Sequence, residues 1–452
     1  MHPLRIAFLP LIRTTFDVPL AEDMIRQARA SLLAAGFILD GPAEPVTSLE
    51  QAQAAARALQ SQPPDMLLVF QATFADSTLV TALAAACDTP LLLWAVPEPW
   101  SGGRLRLNSL CGVTLAGHAL ALRGRQYEWV CASPNDAGAL RQARALAKAG
   151  ALRRGLQGAC LGVVGEHPDG LDTCCLDESA LLAQFGVRVR RIGLDEVFAR
   201  ARRIPPAELR AVRAALEGHL SNLAELEQAP LEGTLSAFLA LRSIAREQGL
   251  DGLAVRCWPE FFTQLGCAAC GAMSLLSDGF QMPAPLPCSC EADINGTLTQ
   301  WMLQALSGSP AFGTDIVALD APGDRVALWH CGLAPLSMAE PGVEARGALH
   351  SNRKLPLVMD FPLKAGAVTL ARVSQAGGGL RLVYGRGQML AEPKPFSGTA
   401  GVLRPAGGAG PFFERWMRAG LEHHLSLVYG YYVLELRAFA RLVGLPELDL
   451  DA

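Results

Sequence analysis

Short apolar runs and longer stretches of helical periodicity alternate from the start of the chain. Leu4 to Leu9 reads as a buried strand ending at Pro10, and apolar positions at helical spacing follow from Ala21 to Ala35. The same rhythm predicts strands at Met66 to Phe70, Pro90 to Val96 and Trp129 to Ala132, and helices at Ser77 to Cys87, Ser109 to Leu122 and Ala137 to Ala149. It then restarts. Strands are expected at Ala159 to Val164, Val187 to Ile192 and Leu253 to Cys257, with helices at Glu178 to Phe185, Pro205 to Leu223 and Leu235 to Gly249. Such alternation is the signature of parallel sheets covered by helices, here two Rossmann-like or flavodoxin-like α/β domains over residues 1–155 and 156–308.

Beyond Asp315 the texture changes. Val326 to Trp329, Ala367 to Val373 and Leu380 to Tyr384 are β-prone runs separated by Gly- and Pro-rich turns, which predicts a C-terminal mainly-β, barrel-like domain over 309–452. Gly398 to Gly410 reads as a loop. Helices at Phe412 to Arg418 and Leu425 to Leu442 close the chain.

Composition narrows the function classes. Half of the 452 residues are hydrophobic and 18% are charged, with a net charge of −4, as in a globular protein with ample core. Lys and Arg are scattered without a basic stripe interleaved with aromatics, so a nucleic-acid partner is not expected. The stretch from Met1 to Leu11 lacks a leader-like apolar core, and no apolar run reaches the roughly 18 residues of a membrane span. A cytoplasmic location without membrane association is the expectation. Neither α/β region has a Gly-x-Gly-x-x-Gly after its first strand or a Walker-type Gly-Lys-Ser/Thr, which leaves dinucleotide and P-loop functions without support.

The chemistry concentrates in Glu291-Ala292-Asp293-Ile294-Asn295-Gly296 and in Asp315. After Gly296, Leu298, Trp301, Met302, Ala305 and Leu306 fall on one helical face, with Asn295 as a plausible N-cap and Ser307-Gly308-Ser309-Pro310 as the stop. A helix of about ten residues spans roughly 15 Å. The residues after it are numerous enough for the chain to return, so Glu291 and Asp315 can meet. Farther on, Glu422-His423-His424 lies in the turn between the two final helices. On a helix adjacent side chains diverge by about 100°, so only one of these histidines would face a given metal. Two carboxylates and one imidazole suit Mn²⁺ or Mg²⁺ with open positions rather than a closed zinc site.

These residues resemble the metal-binding set of the L-fucose/L-arabinose isomerase family: the Glu291 segment, Asp315 beyond its helix and the late His424. That resemblance implies an aldose-ketose isomerase working through an ene-diol. In it Glu291 and Asp315 would be acid/base residues and Mn²⁺ ligands, and His424 the third ligand. It also implies Arg13 near the sugar, reaching a neighbouring subunit's site in a homo-oligomer, and His423 where the family has an asparagine that touches the sugar. Glu260 and His330 are further polar candidates for the pocket.

Two other readings stand beside this one. A non-catalytic sugar-binding or regulatory protein could use the same scaffold. Cys267-x-x-Cys270 with Cys288-x-Cys290 could be drawn as a four-thiolate zinc site, although Cys267 to Leu276 reads as an apolar helix in which cysteines are small core residues. Within the acidic segment, Asp293 then becomes a capping or supporting residue beside the ligands.

Overall fold

The computed structural model describes residues 3–452; Met1 and His2, part of the N-terminal stretch considered above, lie outside the described residues. Each strand expected before Ala149 joins one parallel sheet. Its members are β1 (Arg5–Leu11), β2 (Ile38–Asp40), β3 (Met66–Gln71), β4 (Leu91–Ala95) and β5 (Glu128–Cys131), in the order β2-β1-β3-β4-β5. The helices are α1 (Val18–Ala34), α2 (Leu49–Gln60), α3 (Ser77–Ala84), α4 (Ser109–Ala121) and α5 (Ala137–Leu156). This strand order is the flavodoxin-like one. Successive side chains of a strand face opposite ways, so Phe8, Phe70 and Trp94 pack with α1 and α5 while Leu9, Val69 and Leu93 pack with α2, α3 and α4. β1, β3 and β4 are consequently buried on both faces and read as continuous apolar runs. β2 and α2 escape the sequence pattern: β2 has three residues, and the buried face of α2 is only Ala52, Ala56 and Leu59.

The chain forms two compact units, one of Met1–Arg154 with Leu434–Gly444 and one of Gly155–Val433 with Leu445–Ala452. The second contains a parallel sheet of β6 (Cys160–Val164), β7 (Arg188–Ile192), β8 (Gly252–Val255) and β9 (Cys288–Cys290), ordered β7-β6-β8-β9. Its helices are α6 (Glu178–Phe185), α7 (Leu194–Ala201), α8 (Pro206–Leu216), α9 (Gln228–Gln248), α10 (Ala269–Asp278) and α11 (Ile294–Ser307). The predicted helix at Pro205 to Leu223 therefore stops early, at Leu216.

The remaining elements are β10 (Phe312–Asp320), β11 (Arg325–His330), β12 (Arg346–Ala348), β13 (Val358–Pro362), β14 (Gly366–Ser374), β15 (Arg381–Met389), β16 (Thr399–Pro405), α12 (Ala409–Arg418), β17 (His424–Tyr429), α13 (Val433–Leu442) and β18 (Glu447–Asp449). Strands β16, β11, β10, β17, β14 and β15 pair in that order, all antiparallel, and the β15–β16 pairing closes them into a barrel. The α/β architecture with a C-terminal barrel is thus the expected one.

Two local expectations fail. The presumed loop at Gly398 to Gly410 contains β16; a Cβ at its Gly401 would lie 2.5 Å from Met389 Sδ and 3.0 Å from Leu363 Cβ, so any larger residue would have to displace these side chains. The presumed helix from Leu425 to Leu442 is a strand, β17, then a break at Gly430 with φ +103°, then α13. The segment Leu425-Ser426-Leu427-Val428-Tyr429 is almost wholly buried, which hides its strand character behind apolar density.

Helix α11 joins the halves of this unit, packing on β6, β8 and β9 and also on β10, β14 and β17. From Ile294 through Gln300 every residue is buried, as expected of a helix enclosed on all sides. Its N-terminus therefore sits where the carboxyl ends of the sheet strands meet the barrel.

Candidate active site

The link from β9 to α11 has an unusual backbone. Glu291 and Ala292 have φ of +58° and +57°, the left-handed region that side chains other than glycine seldom occupy. Each such residue costs on the order of 1 kcal/mol, and the buried Ala292 and Asp293 around it hold the conformation in place. The helix cap is Asp293, whose Oδ1 accepts from Gly296 N–H at 2.9 Å; Asn295, the expected cap, lies inside the first turn.

Asp293 has a second task. The buried Arg372 of β14 grips both its oxygens, one at 3.0 Å, and His424 Nδ1 lies 2.9 Å from Oδ2. Burial alone would raise the Asp293 pKa, but the Arg372 charge and the His424 contact outweigh it and hold the carboxyl well below the usual carboxylate range. An ionised carboxylate only accepts, so His424 Nδ1 donates, and the ring's Nε2 keeps its lone pair. That nitrogen lies 3.7 Å from Glu291 Oε2 and 3.7 Å from Asp315 Oδ1.

The barrel register brings Asp315 there. Asp315 on β10 is the direct antiparallel partner of His424 on β17 and of Trp329 on β11. Glu291 meets the pair from the sheet side, with Oε1 accepting from Trp258 Nε1 at 3.2 Å and Oε2 lying 3.2 Å from His423 Nε2. His423 Nδ1 is anchored to Thr173 Oγ1 at 2.7 Å. Burial would push Glu291 up, but the His423 hydrogen bond, the adjacent His424 ring and the Trp258 hydrogen bond bring its pKa down to about 2. Both histidines thus reach Glu291, contrary to the helix-based expectation of one. The segment is a turn entering a strand, and the two rings lie 4.0 Å apart.

His330 is oriented oppositely to His424. Its Nδ1 accepts from Cys331 N–H at 2.9 Å, which leaves the proton of the neutral ring on Nε2. That Nε2 and Asp315 Oδ1 are buried without a hydrogen-bond partner among the described residues. Asp315, His330 and His424 form one cluster of potential ligand atoms within 4.8 Å of one another, and Cys174, Glu291 and His424 form another. Burial and the nearby Asp293 and Glu291 keep the Cys174 thiol protonated, which disfavours it as a ligand. The two clusters share His424, and the donors whose chemistry suits a divalent cation are its free imidazole lone pair, Glu291 from one cluster and the unsatisfied Asp315 oxygen from the other.

A cleft of about 340 Å³ lies over this trio and is also lined by Trp258, Phe262, His330, His350 and Arg353. Such a volume suits a small polar molecule. Glu291, Trp258 and Thr173 each follow a carboxyl end of a sheet strand, where open α/β sheets bind ligands.

The other sequence candidates lie elsewhere. Glu260 is held by Arg256 Nε at 2.8 Å and does not line the cleft. Arg13 belongs to the first unit, with its N–H on Thr73 Oγ1 and its guanidinium over Phe74. The four-thiolate zinc site does not form: Cys290 Sγ approaches Cys257 Sγ at 2.7 Å, Cys270 approaches Cys331 at 3.4 Å, and no four-cysteine cluster converges among the described residues. Arg372 belongs to no recognisable motif, although an arginine inside the apolar run Val368 to Val373 is itself a sign of a buried ion pair.

Comparison with known proteins gives the same direction. Residues 9–148 match the family model described as fucose/sulfoquinovose isomerase, N-terminal domain. Over 99% of its length the chain is 32% identical to a sulfoquinovose isomerase from Alkalicoccus urumqiensis, covering 100% of that protein. It is 31% identical to another from Priestia aryabhattai, over 98% of this chain and 99% of that one. A more distant likeness, 26% identity over 39% of this chain and 36% of the other, links it to an L-arabinose isomerase from Acidothermus cellulolyticus. Full-length identity at this level, together with a sugar-sized cleft, makes the chain an aldose-ketose sugar isomerase, a member of the fucose/sulfoquinovose isomerase family.

Proposed function

We propose that the protein interconverts sulfoquinovose, a glucose whose 6-hydroxyl is replaced by a sulfonate, and the corresponding 2-ketose, using a divalent cation held by Glu291, Asp315 and His424. The observation that carries this reading is the convergence of both carboxylates on His424 Nε2, each at 3.7 Å, beneath a cleft of sugar size. The full-length relatives are sulfoquinovose isomerases, which supports that sugar as the substrate.

In the reaction a proton leaves C2 and one is delivered to C1, while a hydroxyl proton passes from O2 to O1, with a cis-enediol between the two halves. Carbon C1 is reduced as C2 is oxidised, so no external oxidant is required. Glu291 and Asp315 flank these atoms and carry the protons. His330 Nε2–H donates to a sugar oxygen, which would satisfy its unpaired proton. His423, fixed by Thr173, orients Glu291. The cation, when bound, polarises the carbonyl and its neighbouring hydroxyl. Mn²⁺ is the ion assigned on donor chemistry and family resemblance.

Exhaustive chelation is expected to abolish isomerisation and Mn²⁺ to restore it, read by sugar NMR; full turnover in metal-free protein would sink the metal reading. Asp293→Asn keeps a cap but loses the charge that fixes the His424 ring. Its Mn²⁺ affinity, measured by calorimetry, is expected to fall about 10- to 100-fold. For Arg13 we propose a role across a subunit boundary. Mixing separately inactive Arg13→Met and Glu291→Gln proteins is then expected to regain activity after subunit exchange, and mixtures that stay inactive after proven exchange would count against it.

A further inference from the structure

The cleft has a charge polarity that the isomerisation itself does not use. Glu291 and Asp315 meet around His424 Nε2, each at 3.7 Å. A chain of contacts leads away from them: His330 clusters with Asp315 and His424, its Nδ1 lies 3.3 Å from Cys331 Sγ, and Cys331 clusters with Cys270 and His350. The His350 ring meets the Phe262 ring at 5.1 Å, and the Arg353 guanidinium lies 5.9 Å from the centre of that ring. Arg353 is the one Arg or Lys side chain lining the cleft. Among the described residues it has no carboxylate partner, whereas Arg200, Arg256, Arg325 and Arg346 of the same unit each pair with one.

The loop that presents Arg353 is tied down. Lys354 N–H donates to His350 O and His350 N–H to Leu355 O, both at 2.9 Å, and His350 Nδ1 accepts from the N–H groups of Asn352 and Arg353 at 3.3 Å. The guanidinium is thus a preorganised cation over an aromatic face, exposed to the cleft and free to pair with an anion.

On the reading that the substrate is a sulfonated hexose, we propose that Arg353 receives the sulfonate and so sets both the specificity and the direction in which the sugar enters. An anionic C6 substituent is repelled by Glu291 and Asp315 and drawn to Arg353, which leaves C1 and C2 at the carboxylates. A planar fork presents two parallel N–H donors at a fixed spacing to two sulfonate oxygens, a preorganised geometry that an ammonium lacks.

The test compares sulfoquinovose with 6-deoxyglucose, which has the same carbon skeleton without the anion, on the manganese-loaded full-length protein. In Arg353→Met the ratio of kcat/KM for the sulfonated sugar to that for the neutral one is expected to fall about 10- to 100-fold, mostly through KM, as for loss of a charged hydrogen-bond donor. Arg353→Lys should fall between this variant and the wild type. A ratio that stays constant while both rates drop, or no change at all, overturns the proposal. A wild-type preference for the sulfonated sugar that survives intact in Arg353→Met would overturn it while leaving the sulfosugar reading intact. A wild-type protein with no preference for the sulfonated sugar would remove that reading, and this assignment with it.

Discussion

Asp315→Asn is expected to lower kcat by about 10²- to 10⁴-fold, the usual contribution of a positioned acid or base, and on the proposed metal site weaker ligation would add to the deficit. The substitution is nearly isosteric. Asp315 Oδ1 has no hydrogen-bond partner among the described residues, and the side chain is part of the cleft wall rather than of the core, so the melting temperature should move little. The kinetic loss would therefore be chemical rather than structural. Glu291→Gln is expected to behave alike in turnover but to lose more stability, because Glu291 accepts from Trp258 Nε1 and faces His423 Nε2. Full activity in the Asp315→Asn protein would remove Asp315 from the mechanism.

The second large effect is on stability. Arg372 and Asp293 are 0% and 1% exposed, and Glu422 Oε2 lies 3.8 Å from Arg372 Nε. Arg372→Met would leave Asp293, and Glu422 beside it, buried without their cation. Breaking such a pair by removing one partner costs about 3–5 kcal/mol. For a unit of this size that corresponds to a drop in melting temperature on the order of 10 °C. Arg372→Lys keeps the charge but loses the two-pronged grip, so an intermediate loss is expected. Because Asp293 also fixes the His424 ring, the methionine variant should bind Mn²⁺ more weakly as well. A protein that melts within 1 °C of the wild type, a shift worth only about 0.3–0.5 kcal/mol, would show that this network does not hold the unit together.

Much of this was legible from the residues. Both parallel sheets follow from apolar runs alternating with helical stripes, and the barrel from the shorter β-prone runs beyond Asp315. The elements that escaped are those whose pattern is masked. α2 buries mostly alanines, β16 is rich in small residues, and β17 is so uniformly buried that its period disappears. The last of these mattered for the site, because a helix at His424 would separate the two histidines, whereas the strand pairs His424 with Asp315.

Within the site, the acidic segment before α11 announced itself by its residue types, and Asp293 as a supporting residue could be argued from its position before the helix. The register that sets Asp315 beside His424 spans more than a hundred residues and has no local signal. Nor could the tautomers be read from sequence. His424 and His330 are stacked neighbours, with ring centres 5.7 Å apart, yet the Asp293 contact leaves Nε2 of one an acceptor and the Cys331 N–H makes Nε2 of the other a donor. The zinc alternative failed for the same kind of reason, since cysteines close in sequence were directed to different partners by the strands and helices that carry them.

The central claim, proton transfer between C1 and C2 at Glu291 and Asp315, is tested most directly by incubating the manganese-loaded protein with sulfoquinovose in D₂O and following the sugar by NMR. The account predicts a ketose carrying deuterium at C1, with deuterium reaching C2 of the aldose as the reaction reverses. A ketose that forms over many turnovers without deuterium, or a sugar that stays unchanged, would contradict it.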